Sequence, residues 1–400
     1  MELRFTAEEA AFRLQVRQFF QAALPADIRA KSALGQRLSR EELKRWQRIL
    51  YDKGWATPSW APEWGGTGWN AVQQYIYKEE LHMAPAPEPL SFNVNMIGPT
   101  LIAFGSEEQK RHFLSNIASL DYWFCQGFSE PGAGSDLAAL RTQARREGDH
   151  YVIDGQKLWT STAHHADWCF LLVRTDPTAK KQQGITYLLM DMKSPGITVR
   201  PILTLDGNHE TNEMFLENVR VPVANRLGEE NEGWDYAKYL LGHERSGISR
   251  VGVSKMRLRR AKQMAQRIMI GAHTLAEDER FRERVAAIEV ELKALEITQM
   301  RVICESMRAP SGKPDPKTSI LKMKGSELQQ AATQLLLEVA GYDAMEYDGN
   351  FLRGLAESAR DEEDWALTVA PNHYFARHVT IVGGSNEIQR NILAKAVLGL

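Results

Sequence analysis

The order of hydrophobic periods along the chain predicts an α+β protein, mainly α, built as three consecutive blocks. Apolar residues recur at helical spacing to about residue 120, give way to short β-branched and aromatic runs from about 121 to 230, and return to helical spacing to about 397. The expected architecture is an N-terminal α-helical domain (1–120), a middle β-barrel or sandwich domain (121–230) and a C-terminal helix bundle (231–400).

Each block carries its own punctuation. In the first, Thr6 precedes Ala7-Glu8-Glu9 and Ser106 precedes Glu107-Glu108-Gln109, the pattern of a side-chain oxygen closing a helix start. Pro- and Gly-rich loops interrupt this block at 58–68 and 84–89. In the second, Tyr151-Val152-Ile153, Asp154-Gly155 and then Gln156 to Trp159 read as a hairpin through an Asp-Gly turn. Further strands are expected over 168–173, 185–190, 197–202 and 213–221, separated by turn residues such as Asp176-Pro177 and Ser194-Pro195-Gly196. In the third, helices are expected over 234–272, 280–308 and 318–340.

Composition narrows the function classes. A chain of 400 residues with a formal net charge of −2 has room for sizeable cores and no bulk attraction for nucleic acid. Its three cysteines, Cys125, Cys169 and Cys304, are widely spaced and odd in number, which fits reduced thiols in a cytoplasm. The N-terminus lacks a basic region followed by an apolar stretch, and no run approaches the roughly 18 apolar residues of a membrane span. A cytoplasmic protein is expected. His164-His165 are adjacent, not at metal-ligand helical spacing, so no metal site is expected. The basic run from Lys255 to Lys262 reads as a solvated helix face, and the Trp-rich region 46–69 as core and loop packing.

Three segments carry chemistry. The first, at 125–136, is Cys-Gln-Gly-Phe-Ser-Glu-Pro-Gly-Ala-Gly-Ser-Asp. Gly132 and Gly134 let backbone approach a bulky planar ligand, and Ser129 and Ser135 offer hydroxyls to its polar edge. A Gly-Ala-Gly-Ser fragment on its own is an ordinary turn. The second is Asp154-Gly155-Gln156-Lys157-Leu158-Trp159-Thr160-Ser161, and the third is Ile381-Val382-Gly383-Gly384-Ser385-Asn386-Glu387-Ile388-Gln389-Arg390. Together they resemble the signatures of acyl-CoA dehydrogenases, flavoenzymes that remove two hydrogens from an acyl thioester, and the resemblance extends over essentially the whole chain.

The resemblance implies FAD as cofactor and an acyl-CoA as substrate, with an acyl-CoA dehydrogenase-like fold. It assigns cofactor contacts to Gln126, Phe128, Ser129, Gly134, Ser135, Trp159, Thr160, Ser161, Gly384, Ser385 and Glu387. Trp159 would stack on the isoalloxazine, and Ser161 would hydrogen-bond near flavin N5. Gly383, Ser135 and Arg245 would serve the substrate, the Gly383 N–H by joining a ribityl hydroxyl on the thioester oxygen. In much of the family the residue matching Gly383 is the base that takes the α-proton, and glycine cannot act as one. A minority of members carry that glutamate on a helix early in the C-terminal domain, in a Glu-Arg pair, and Gly242-His243-Glu244-Arg245-Ser246-Gly247 matches that place. Glu244 is therefore the expected base, with its pKa raised by burial until substrate binds.

Two departures bear on assembly. A neighbouring subunit in the family lends an Arg-x-x-Phe-Gly segment and a Gly-rich loop to the cofactor. Here the corresponding stretches read Glu277-Asp278-Glu279-Arg280-Phe281-Arg282-Glu283 and Leu337-Glu338-Val339-Ala340-Gly341-Tyr342-Asp343. Together with Thr318-Ser319-Ile320-Leu321-Lys322, these features are similar to large subunits of bacterial two-component acyl-CoA dehydrogenases acting on pimeloyl-CoA or steroid side-chain thioesters. An α2β2 assembly with a second, related subunit is expected, a homo-oligomer being the alternative, with electrons passing to an electron-transferring flavoprotein. The other readings are a non-catalytic scaffold that completes a partner's flavin site and a flavin-dependent acyl-CoA oxidase.

Overall fold

The computed structural model describes residues 5–244, 249–308, 316–355 and 362–400, with the side chains of 242–244, 306–308 and 362–363 outside the description. Its helices are α1 (Ala7–Ala23), α2 (Ala26–Leu34), α3 (Arg40–Asp52), α4 (Ala71–Met83), α5 (Gly98–Phe104), α6 (Glu107–Ser119) and α7 (Gly233–Glu244). They continue as α8 (Val251–Ala265), α9 (Glu279–Arg308), α10 (Thr318–Ala340), α11 (Gly349–Leu352), α12 (Val369–Phe375) and α13 (Asn386–Leu393). The anticipated N-caps are present as full capping boxes: Thr6 Oγ1 accepts from the Glu9 N–H while Glu9 accepts from the Thr6 N–H, and Ser106 and Gln109 do the same.

Between α6 and α7 lie β1 (Phe124–Gly127), β2 (Gln143–Glu147), β3 (His150–Lys157), β4 (Trp168–Arg174), β5 (Ile185–Asp191), β6 (Ile197–Leu203), β7 (His209–Pro222) and β8 (Arg226–Leu227). They form one sheet in the order β6-β7-β3-β2-β4-β5-β8, and β1 also pairs with β4. β1 and β2 run parallel to β4, and the remaining pairs are antiparallel.

The hairpin expected at Asp154-Gly155 does not form. β3 runs through it, and the turn lies one element earlier, where Gly148 at φ 63° and Asp149 join β2 to β3. Gly155 instead marks a bulge against β7, and a Cβ there would lie 2.6 Å from Thr142 Oγ1. Trp159 accordingly falls in the loop after the strand.

The chain divides into two compact units. One comprises residues 47–68 and 89–244, the other 1–46, 69–88 and 245–400. In the β-containing unit, β4 is buried on both faces. Cys169, Leu171 and Val173 point into a core shared with Tyr151, Met190 and Met214, while Phe170 and Leu172 join a second core with Leu101, Phe113 and Leu240 of the surrounding helices. That two-sided burial explains why its sequence is an apolar run with no alternation. The Trp60 indole is buried here, donating to Val94 O at 2.7 Å.

In the helical unit, α8, α9 and α10 pack through Leu258, Phe281, Leu292, Leu321, Leu328 and Leu335. The expected helix over 234–272 is broken. α7 is described as far as Glu244, Arg250 sits at φ 44° just before α8, and after Ala265 the chain forms a two-strand turn, β9 (Met269–Ile270) and β10 (His273–Thr274), about Gly271 at φ 63°. The basic run is a solvated face only in part: Arg259 and Lys262 are exposed, and the rest is packed. Leu258 and Ala261 are core, Lys255 is paired with Glu79 and Glu296, and burial lowers the Arg257 and Arg260 guanidinium groups to about 10.

Candidate active site

The residues singled out from the sequence divide between the two units. In the β-containing unit the first two signatures lie side by side. The Leu158 N–H donates to Ser129 O at 2.8 Å, and the Lys157 ammonium donates to Phe128 O at 3.2 Å, Leu172 O at 2.8 Å and Glu130 Oε1 at 2.8 Å. Glu130 also accepts the N–H groups of Arg141 and Thr142, at 2.6 and 2.9 Å. Burial pulls the ammonium down and Glu130 pushes it up. The Glu130 carboxyl ends below its ordinary value, because Lys157 and the backbone donors outweigh its own burial. Three acceptors around Nζ are what an ammonium needs, so we read the pair as charged. Neither residue was assigned a role from sequence, and a partner 27 residues away leaves no local signal.

Beyond this pair the chain enters a strained loop. Trp159 at φ 59° and Thr162 at φ 56° flank Thr160 and Ser161 in left-handed conformations that non-glycine residues avoid. β7 holds the loop in place. The Thr160 N–H donates to Asn212 O at 2.9 Å, Asn212 returns its N–H and an amide hydrogen to Thr160 O, and the Thr162 N–H donates to Glu210 O at 2.8 Å. The result is a Trp159 side chain 58% exposed above a fully buried Thr160. Behind the loop, the His164 ring stacks on His209 with centroids 3.9 Å apart, and burial lowers its pKa to about 4.

The sites assigned to a flavin can be tested against this geometry. A Cβ added at Gly132 or Gly134 would meet nothing within 4 Å, neither glycine has positive φ, and Ser135 is exposed, so the turn presents open backbone instead of packed chain. Thr160 Oγ1 is buried with no hydrogen-bond partner. Open backbone, an exposed indole and an orphaned hydroxyl fit a flat ligand with a polar edge. Gln126 and Ser129 are half-buried on the same run. The Phe128 ring packs edge-on against Phe170 and Tyr187 in the core, and its carbonyl is tied to Lys157, so the side chain assigned to the cofactor is committed to packing.

The third signature lies in the helical unit. Gly383 at φ 66° and Gly384 at φ 84° turn left-handed into Ser385, whose Oγ caps α13 by accepting from the Ile388 N–H. The fully buried Gln389 supports them from beneath: its amide donates to Gly383 O and Gly384 O, both at 3.3 Å, and its Oε1 accepts from Ser319 Oγ at 2.7 Å. One turn along α10, Lys322 donates to Thr380 O and Asn386 Oδ1, and Ser326 donates to the same Oδ1. Ser319, Lys322 and Ser326, at spacings of three and four, thus form a buried polar stripe on α10. Glu387 is exposed, and hydrogen bonds at the α13 N-terminus hold its carboxyl below the ordinary value. Glu244 is the last described residue of α7; its side chain, and all of Arg245, lie outside the described residues.

Residues 6–121 match the acyl-CoA dehydrogenase N-terminal domain, 125–219 the middle domain and 231–398 the C-terminal domain. The chain is 34% identical over 396 residues to acyl-CoA dehydrogenase IpdE1 of Mycobacterium tuberculosis, covering 97% of each, and 34% identical over 414 residues to FadE26 of the same organism, covering 100% of this chain and 99% of that one. It is similar to a chain of the ChsE4-ChsE5 complex from Mycobacterium tuberculosis, at 34% identity and a TM-score of 0.84 over 100% of this chain and 99% of that one. It is also similar to a chain of the Tcur3481-Tcur3483 steroid ACAD, at 30% identity and a TM-score of 0.85 over 100% of this chain and 99% of that one. Domain matches in the same order along nearly the whole length leave one conclusion: the chain belongs to the acyl-CoA dehydrogenase family, a family of flavin-dependent oxidoreductases.

Proposed function

We propose that this chain is the catalytic subunit of an FAD-dependent enzyme that converts an acyl-CoA to a trans-2-enoyl-CoA, with Glu244 as the base, and passes electrons to an electron-transferring flavoprotein. The observation that carries this reading is the Trp159–Thr162 loop. Two non-glycine residues in the left-handed region are disfavoured by about 1–3 kcal/mol each, and such strain persists where it presents a functional side chain. A scaffold would have no use for it.

In this reading FAD, when bound, supplies the acceptor for the β-hydrogen. Trp159 offers a flat apolar face to the cofactor, Thr160 and Ser161 offer hydroxyls, and Gln126, Ser129, Gly134 and Ser135 border its polar edge. Gly384, Ser385 and Glu387 act at the α13 end. The Gly383 N–H donates to the thioester oxygen as negative charge grows there, and the left-handed turn that aims it needs no side chain. Glu244 takes the α-proton, and Arg245 assists substrate binding.

We further infer an α2β2 assembly with a second acyl-CoA dehydrogenase-like subunit, acting in the cytoplasm. Similar chains have been solved as two-protein complexes, and just past Gly341 this chain exposes Tyr342, Met345 and Tyr347, at 90%, 78% and 55% of their surfaces. Among the described residues no helix is long and apolar enough to cross a membrane.

The test is anaerobic bleaching of flavin absorbance by a panel of acyl-CoAs, using the chain with its partner subunit, for wild type and Glu244→Gln. Loss of a general base predicts bleaching about 10²–10⁴-fold slower in a variant that still binds FAD. Equal bleaching would remove Glu244 from the mechanism. Absence of bleaching in the wild-type complex would leave the chain a scaffold.

A further inference from the structure

Asn212 ties the strained Trp159–Thr162 loop to β7 with its side chain as well as its backbone. It is fully buried, and its carboxamide meets three groups: Nδ2 lies 3.0 Å from Thr160 O and 3.1 Å from His164 Nδ1, and Oδ1 lies 2.6 Å from His209 Nε2. Thr160 O decides which way round the amide sits, because a carbonyl only accepts and the atom facing it has to be the nitrogen. Both amide hydrogens are then used, one on Thr160 O and one on His164 Nδ1. His164 Nδ1 is therefore an unprotonated acceptor, and His209 Nε2 carries the hydrogen that Oδ1 accepts. A protonated His164 would point a hydrogen at a donor, and Asn212 could turn to accept it only by setting its own oxygen against Thr160 O.

The surroundings of His164 favour that neutral ring. It stands on a single 3₁₀ turn, Ala163–His165, directly after the left-handed Thr162. The His209 ring of β7 stacks on it with centroids 3.9 Å apart and 25° between planes, and the His165 ring of its own turn lies 4.0 Å away. The titratable groups that these elements bring to the ring are His165 and His209, with Glu210 following His209 on β7 and Asp206 in the turn before it. Partial burial, with His165 and His209 so close, lowers the His164 pKa to about 4. His164 nonetheless stays solvent-exposed, so a proton reaches the ring without any opening of the core.

We propose that Asn212 and neutral His164 are positioning residues for the proposed dehydrogenation: they hold the Trp159–Thr162 loop in the form that offers the indole and the Ser161 hydroxyl to the flavin, and protonation of His164 releases it. The proposal rests on the reading that this loop carries the cofactor. In this role neither residue touches cofactor or substrate; both act through Thr160 O. The direction of the pH dependence follows from linkage. An open loop returns His164 toward the ordinary histidine value of 6.5, whereas the closed loop holds it near 4, so the open form binds the proton more readily. Closure is complete above about pH 6.5 and weakens as pH falls toward 4, by at most about tenfold per pH unit. The solvent contact of His164 screens part of that slope.

The experiment takes the chain with its partner subunit and compares wild type, His164→Gln, His164→Ala and Asn212→Leu from about pH 7.5 to about pH 5. It measures amide hydrogen exchange over residues 158–163, corrected for intrinsic pH dependence, and Kd for FAD. Wild type is expected to lose protection in that segment, and FAD affinity with it, as pH falls below about 6.5. His164→Ala leaves an Asn212 amide hydrogen without its acceptor, which predicts about tenfold faster exchange and about tenfold weaker FAD binding already at neutral pH. His164→Gln supplies a carbonyl oxygen that accepts the same hydrogen and takes no proton, so it should restore most of the neutral-pH protection and abolish the loss in acid. Asn212→Leu should release the loop at every pH, with unchanged exchange in β4 reporting that the domain is folded. An acid loss that persists in His164→Gln, or a loop as protected in His164→Ala and Asn212→Leu as in wild type, overturns the proposal. Exchange that responds as stated while FAD affinity does not would keep the hydrogen-bond network as the hold on the loop and remove the loop from the cofactor site, so the proposed function would fail separately.

Discussion

Two loops carry the proposed chemistry, and they solve opposite problems. The Trp159–Thr162 loop must aim a large side chain, so it keeps non-glycine residues at φ 59° and φ 56° and holds them with backbone rungs to Glu210 and Asn212. The Gly383–Gly384 turn must aim a backbone N–H, so it uses glycine, for which φ 66° and φ 84° are unstrained. Their supports differ accordingly. Just before the first lies a buried ion pair, Lys157 with Glu130, that ties the end of β3 to Phe128 O; beneath the second lies a neutral amide, Gln389, that ties two carbonyl oxygens to Ser319 of α10.

The largest effect should fall on the charged support. Lys157→Met leaves Glu130 buried with two backbone donors and no counter-ion, which predicts a loss of about 3 kcal/mol in urea denaturation. Adding Glu130→Gln should recover part of that loss. A single-variant loss under about 1 kcal/mol would mean that the pair is not ionised and that the contrast between the loops is empty. Next comes the amide: Gln389→Leu orphans Gly383 O, Gly384 O and the Ser319 hydroxyl, for an expected loss of about 2 kcal/mol. Amide exchange at Gly383 to Ser385 should accelerate in that variant while the Trp159 loop is unaffected. Unchanged exchange would show that the α13 cap alone holds the turn.

Much of this frame was legible in the chain itself, for physical reasons that also mark the limit. Thr6 and Ser106 close their helices with bonds three residues away, and strands β4 to β7 declare themselves because sheet burial fixes the side-chain pattern. Asp154-Gly155 misled because its local turn preference is overridden by β7 pairing along β3 and by Thr142 crowding Gly155. Lys255 to Lys262 misled in part, because a basic run looks alike whether its cations face water, as Arg259 and Lys262 do, or packed helices. What decides between them is α4, about 170 residues earlier in the chain, and Lys255 meets Glu79 across 176 residues. Lys157 and Glu130 were likewise in view as letters, and only their closeness in space gave them a role.

The smallest effects give the sharpest test, because they should differ in sign of purpose. Gly383→Ala asks an L-residue to adopt φ 66° and should destabilise the protein by about 1 kcal/mol, with little change in flavin affinity. Trp159→Gly does the reverse. It relieves a strained residue whose side chain is 58% exposed, so stability should hold within about 0.5 kcal/mol, the relief offset by the backbone freedom glycine adds to the unfolded chain. Its loss should appear in FAD affinity instead, by about tenfold or more if the indole stacks on the cofactor. Denaturation and flavin titration on the two variants would settle which loop is built for stability and which for contact. A Trp159→Gly variant that loses stability and keeps FAD would make the indole a packing residue, and the strained loop would then need another explanation.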